Sequence, residues 1–204
     1  MLNVAYGPPA GPFDLERALV LTKQAFGHGL YYYWRLFASD EGPAILNTHL
    51  ESLFTALHAK KLDHMKDTFT TEDGMKNYLL ADTKQELADY ATPKMQEDFV
   101  KRFERDGFAA PLQWYRAFKE NVHWGVEQKI PQERFEVTVP VLFVGCNHDN
   151  VCLTALIYRS VQAGLLPDLM IRELDSSHWV PFEKPKELGE VVMEYLVAKF
   201  GDKK

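Results

Sequence analysis

Apolar residues recur along this chain with two different periods. From Phe13 to about Val126 they fall three and four apart, the spacing of a helix face, and after Pro131 they gather into short unbroken runs. Asp14 is placed to cap a first helix with apolar positions Leu15, Leu19, Val20 and Ala25, which Gly27-His28-Gly29 stops. Tyr31 to Phe37 is densely aromatic. Ile45, Leu46, Leu50, Leu53, Phe54 and Leu57 predict one helix over 44–57. Thr92-Pro93 starts another, with Met95, Phe99 and Phe103 four apart and Gly107 closing it. Residues 111–121 form a further helix carrying Trp114, Tyr115 and Phe118.

Beyond Pro131 the pattern changes. Val137-Thr-Val-Pro-Val-Leu-Phe-Val144 is β-branched and apolar, runs into Gly145, and predicts a strand buried on both faces of a parallel sheet. Leu153 to Val161 reads as helix and Leu169 to Leu174 as a second strand. Pro185 to Phe200 reads as an amphipathic helix with Leu188, Val191, Val192, Tyr195 and Leu196 inward. At the other end, Leu2 to Tyr6 reads as the end of a strand running into the rigid turn Gly7–Pro12. Strand, helix, strand, helix means βαβ units and an α/β, doubly wound sheet. The expected divisions are 1–12 as a strand end and turn, 13–130 as a helical domain, and 131–204 as part of an α/β core. Two strands and a stub do not complete a parallel sheet, so the chain reads as part of a larger architecture.

Composition narrows the function classes. Hydrophobic residues make up 46% and charged residues 25% of 204, ordinary for a globular protein. The net charge of −6, with no long basic run, argues against a nucleic-acid partner. No apolar stretch approaches the ~20 residues of a membrane span, and the first ten residues lack a signal-peptide pattern. Cys146 and Cys152 make no disulfide framework and lack Cys-x-x-Cys spacing, which reads as small apolar fillers in a reduced, cytoplasmic protein. His28, His49, His58, His64 and His123 show no metal-ligand spacing, and no glycine-rich phosphate loop occurs. No cofactor or metal is expected.

The chemistry gathers at the strand ends, where open α/β sheets place their working residues. The first strand ends Phe143-Val-Gly-Cys-Asn-His-Asp149 and the second Leu174-Asp-Ser-Ser-His178, and one helix plus one strand fill the interval. An acid and a histidine so spaced share a rim, where Asp149 can orient one imidazole nitrogen of His178 and leave the other as general base. The plainer alternative is a solvated turn aspartate and a loop histidine.

Four motifs stand in order along the chain. Tyr33-Trp-Arg-Leu-Phe37 lies early in the helical region, and Pro111-Leu-Gln-Trp-Tyr115-Arg116 lies late in it. Gly145-x-x-x-Asp149 follows, and then His178-Trp179 before an apolar segment running to Pro185. Together they resemble the soluble epoxide hydrolases of the α/β-hydrolase fold, over nearly the whole chain. The resemblance implies a helical cap followed by the last strands and helices of the core. It assigns Asp149 and His178 as the acid and base that hydrolyse an ester intermediate. Tyr33 and Tyr115 would be the phenols that hydrogen-bond the epoxide oxygen, a role suited to a donor with a pKa near ~10. Tyr31 and Tyr32 rival Tyr33, which is preferred on its spacing to Phe37. Trp179, Trp114 and Phe37 would line the pocket for a small hydrophobic epoxide, although core packing is the alternative for Tyr31, Trp34 and Phe37.

The family's nucleophile turn, Gly-His-Asp-x-Gly, and its oxyanion turn, His-Gly-x-Pro, do not occur in the 204 residues. The expectation is therefore a chain that begins at the cap and carries no nucleophile. Two other readings stand beside the hydrolase. One is a haloalkane or fluoroacetate dehalogenase of the same fold. The other is a non-catalytic binding or dimerisation module, with a second copy as partner.

Overall fold

The computed structural model describes residues 1–201. They divide into two compact units, one of residues 12–125 and one formed by residues 1–11 with the stretch from 126 onward.

The first unit is helical. Asp14 Oδ1 accepts the Arg17 amide at 3.0 Å and opens α1 (Leu15–Phe26), which ends at Gly27 in the left-handed conformation, φ 81°. Leu15 and Leu19 point inward while Val20 and Ala25 stay exposed. Next come α2 (Tyr33–Phe37), α3 (Gly42–Thr48) and α4 (Leu50–Leu57). The single helix expected over 44–57 is thus two. The Thr48 hydroxyl donates back to the Ala44 carbonyl at 2.9 Å, a bond that bends helices, and His49 leaves helical geometry at φ −120°, ψ 44°. After the short α5 (His64–Phe69) and α6 (Gly74–Leu80), residues 81–92 form no helix and touch Ala59 through an isolated antiparallel bridge at Leu87. Helix α7 (Pro93–Asp106) begins where Thr92-Pro93 predicts, with the Thr92 hydroxyl accepting the Met95 amide at 3.2 Å, and stops at Gly107. Helix α8 (Gln113–Lys119) is shorter than the expected 111–121.

The second unit holds the sheet. After α9 (Trp124–Glu127), β1 (Val141–Cys146) pairs in parallel with β2 (Leu169–Leu174), from Val141 opposite Leu169 to Cys146 opposite Leu174. The apolar run from Val137 enters the strand only at Val141, because Pro140 has no amide to give a ladder. On the other flank of β1, residue 2 bridges Val144 in parallel, with Val144 N donating to Met1 O and Asn3 N donating to Val144 O. The stretch 153–161 opens as a 3-10 turn (Thr154–Leu156) before α10 (Ile157–Gln162). Phe143, Ile157 and Leu166 form the core here, with Tyr6, Val141 and Ile171 against them. Helices α11 (Val180–Glu183) and α12 (Pro185–Phe200) complete the unit.

The inward face expected for α12 needs correction. Tyr195 is buried, Leu188 and Val191 are half-buried, and Val192 and Leu196 are exposed. The helix carries a wider apolar stripe than two strands can cover. The architecture is thus a helical unit and a unit of two parallel strands with helices between and after them. No helix among the described residues is long and apolar enough to cross a membrane.

Candidate active site

The β ladder continues past its strands. Asn147 N donates to Leu174 O and His148 N to Ser176 O, both at 3.1 Å, so the two loops leave the sheet in register. Within this stretch position 145 has room only for glycine, since a Cβ there would lie 2.1 Å from Thr154 Oγ1. Asp149 is buried, and both of its oxygens are committed. Oδ1 accepts the Val151 and Cys152 amides at 2.9 Å each. Oδ2 accepts His178 Nδ1–H at 2.8 Å and Asn3 Nδ2–H at 2.9 Å. Burial alone would raise the carboxyl pKa, but the bond to His178, its charge, and the Cys152 and Asn3 donors outweigh it and hold the group below the ordinary carboxylate value. An ionised Asp149 fixes the proton of His178 on Nδ1 and leaves Nε2 as the acceptor. The His178 side chain keeps 26% of its surface exposed while that of Asp149 keeps none, which suits a base backed by a shielded acid.

The loop carrying His178 is held by a residue the sequence reading passed over. Glu183, on α11, accepts the Ser177 amide at 2.6 Å, the Ser176 hydroxyl at 2.8 Å and the Trp179 amide at 3.0 Å. Three donors from residues 176–179 on one carboxylate fix the main chain on both sides of His178. The Trp179 ring stands edge-on to the imidazole, centroids 5.1 Å apart. Asn3 is the second residue passed over.

Asp149, Cys152 and His178 place potential metal-ligating atoms within 4.8 Å of one another. The histidine–carboxylate hydrogen bond accounts for that closeness, and the Cys152 thiol is a poor ligand as it stands. Burial and the neighbouring Asp149 charge push the Cys146 and Cys152 thiols each up to about 12, so both remain protonated and unpaired.

In the helical unit, Tyr33 and Tyr115 belong to one aromatic cluster. Their rings meet edge to face at 5.9 Å, and Phe37 touches both, at 5.3 Å from Tyr33 and 5.1 Å from Tyr115. Buried Trp34 packs 5.2 Å from Tyr115. Trp114, offered as a pocket residue, is 54% exposed at the cluster edge, 5.1 Å from Tyr115. Tyr32 carries the Arg35 guanidinium over its ring at 5.2 Å.

No protein-family model matches the chain. A bifunctional epoxide hydrolase 2 of Sus scrofa is 23% identical over 193 residues, spanning 92% of this chain and 32% of that protein. The same-named protein of Mus musculus is 27% identical over 201 residues, 96% of this chain and 34% of its own length. Among solved structures, epoxide hydrolase A from Mycobacterium thermoresistibile superposes with TM-score 0.66 at 17% identity, covering 96% of this chain and 60% of that one. The chain resembles the epoxide hydrolases. Potato epoxide hydrolase I gives TM-score 0.63 at 16% identity, again with 60% of its chain covered. The chain thus spans about a third of the curated relatives it matches, and the structural likeness establishes the α/β-hydrolase fold. Within that resemblance, the Gly145–Asp149 and His178-Trp179 motifs lie at the ends of β1 and β2, and Tyr33 and Tyr115 lie together in the helical unit.

Proposed function

We propose that this chain supplies the cap tyrosines and the water-activating pair of an epoxide hydrolase, converting a small hydrophobic epoxide to a vicinal diol. The observation that carries the reading is the 2.8 Å bond from His178 Nδ1 to a shielded Asp149 at adjacent strand ends. The clustering of Tyr33 with Tyr115 supports it.

In this reaction a carboxylate attacks a ring carbon, the ring C–O bond breaks, and the oxygen takes a proton from a phenol of Tyr33 or Tyr115. The product of that step is an alkyl ester. His178 Nε2 then takes a proton from water, whose oxygen attacks the ester carbonyl, and Asp149 stabilises the imidazolium. The diol leaves, the carboxylate is regenerated, and the proton returns to the phenolate. The 204 residues do not present the attacking carboxylate in a Gly-His-Asp-x-Gly turn, so a test on them supplies that turn separately.

A halide-releasing reaction is the second reading. The indole N–H of Trp34 is buried and has no acceptor among the described residues, as a halide-stabilising donor would. One assay separates the two. The chain is incubated with styrene oxide or with a chloroalkane, alone and with a separately expressed fragment of a family member bearing the nucleophile turn. Diol formation in the reconstituted mixture, lost in Tyr115→Phe, supports the epoxide reading. Halide release without epoxide opening supports the second reading, and neither product in any mixture would contradict both.

A further inference from the structure

Asn3 sits beside β1, against the loops that follow β1 and β2. It follows the residue that bridges β1 and is 5% exposed, with its backbone at φ 56° in the left-handed region. Few residue types accept that conformation, and asparagine is among them. Its side-chain amide is fully used. Nδ2 donates to Asp149 Oδ2 at 2.9 Å and to the His178 carbonyl at 3.0 Å, and Oδ1 faces the Cys146 thiol at 3.4 Å. The partners lie 143 to 175 residues away in sequence.

We infer that Asn3 is a positioning residue for the His178–Asp149 pair, one amide that ties the acid's oxygen and the histidine's main chain at a fixed separation. The inference rests on the reading of those two residues as the water-activating pair. A carboxylate held only by the Val151 and Cys152 amides is anchored through Oδ1 and can still pivot about that edge. The Asn3 donor on Oδ2 removes the pivot, so Oδ2 presents one lone pair to the amide and the other to Nδ1–H. The bond to the His178 carbonyl fixes the main chain from which the imidazole projects. Aspartate in its place would keep the outline and the backbone but lose the donor, and glycine would keep only the backbone.

The test reads the site without substrate. In the full chain, the His178 Nδ1 proton is followed by low-temperature proton NMR in wild type, Asn3→Asp and Asn3→Gly. A hydrogen bond to a charged partner controls exchange by about tenfold or more. Both variants should therefore show that proton exchanging with water at least about tenfold faster, with the circular dichroism of the wild type. Asn3→Gly brings no new charge, so a shared effect isolates the missing donor. An unchanged proton in both variants would overturn the inference. Should both variants fail to fold, the wild type alone decides. The Asn3 side-chain amide protons should exchange at least about tenfold slower than those of exposed Asn77. Equal rates would reject the assignment. Absence of epoxide turnover leaves these readouts untouched, so failure of the functional reading and failure of this inference are separable.

Discussion

The helical unit and the strand unit bury their apolar residues to different degrees. In the helical unit Leu30, Leu46, Leu53, Phe54, Met75 and Leu79 are each 2% exposed or less. In the strand unit Phe143, Ile157 and Val180 are buried as deeply, but β2 contains no fully buried residue, and α12 buries Tyr195 alone while Val192, Met193, Leu196, Val197 and Phe200 face outward. Helices joined by short turns find partners close in sequence, so 114 consecutive residues can close a core among themselves. A parallel sheet draws its partners from distant segments, and two strands with one bridged residue cover only part of what their helices offer. The candidate acid–base pair sits in the strand unit, where Asp149 is buried and accepts four hydrogen bonds.

That contrast can be broken by substitution. The largest effect is expected at the centre of the helical unit, where Phe54→Ala should cost ~3–5 kcal/mol in denaturant unfolding. A loss below about 1 kcal/mol would mean that core is not closed.

Acid should separate the units next. His58 is buried among aromatic rings, and burial followed by the nearby His64 charge lowers its pKa from 6.5 to about 4. Between those values the unfolded chain binds the proton and the folded one does not. Stability in the helical unit should therefore fall as pH drops from about 6.5 to 4, by about 3 kcal/mol, and His58→Gln should flatten that slope. The Asp149 pKa is depressed, so its contribution persists above the ordinary aspartate value of 3.8 and is lost only as pH falls below it. Amide exchange followed against pH should show the helical unit loosening first, and loosening of the strand unit ahead of it would contradict the assignment.

A smaller loss is expected from Glu183→Gln, ~1.5–3 kcal/mol, with faster exchange of the Ser177 and Trp179 amides that the carboxylate accepts. Smallest is Val197→Lys on the exposed face of α12, which should change stability by less than about 0.5 kcal/mol in denaturant unfolding.

Features set by local chemistry were legible in the sequence. The Asp14 and Thr92 caps, the stop at Gly27, the span of β2 and both ends of α12 follow from residues within a few positions of each feature. The Asp149–His178 contact was legible because one βαβ unit fixes the distance between two strand ends. What escaped depends on distant neighbours. Asn3 looks like any asparagine in a short apolar stub, and its partners are 146 and 175 residues away. Glu183 looks like one more acid at a helix end until its loop folds back on it. The outward stripe of α12 has the same periodicity as a buried one, and only the width of the sheet decides between them.

The proposed role of His178, backed by Asp149, is to activate the water that hydrolyses an ester. Intact mass spectrometry after brief exposure of the reconstituted His178→Gln protein to styrene oxide tests it most directly. The nucleophile-bearing polypeptide should gain the mass of one epoxide and keep it, whereas the wild-type mixture should turn over and show no lasting adduct. Steady diol formation by His178→Gln with no adduct would contradict it.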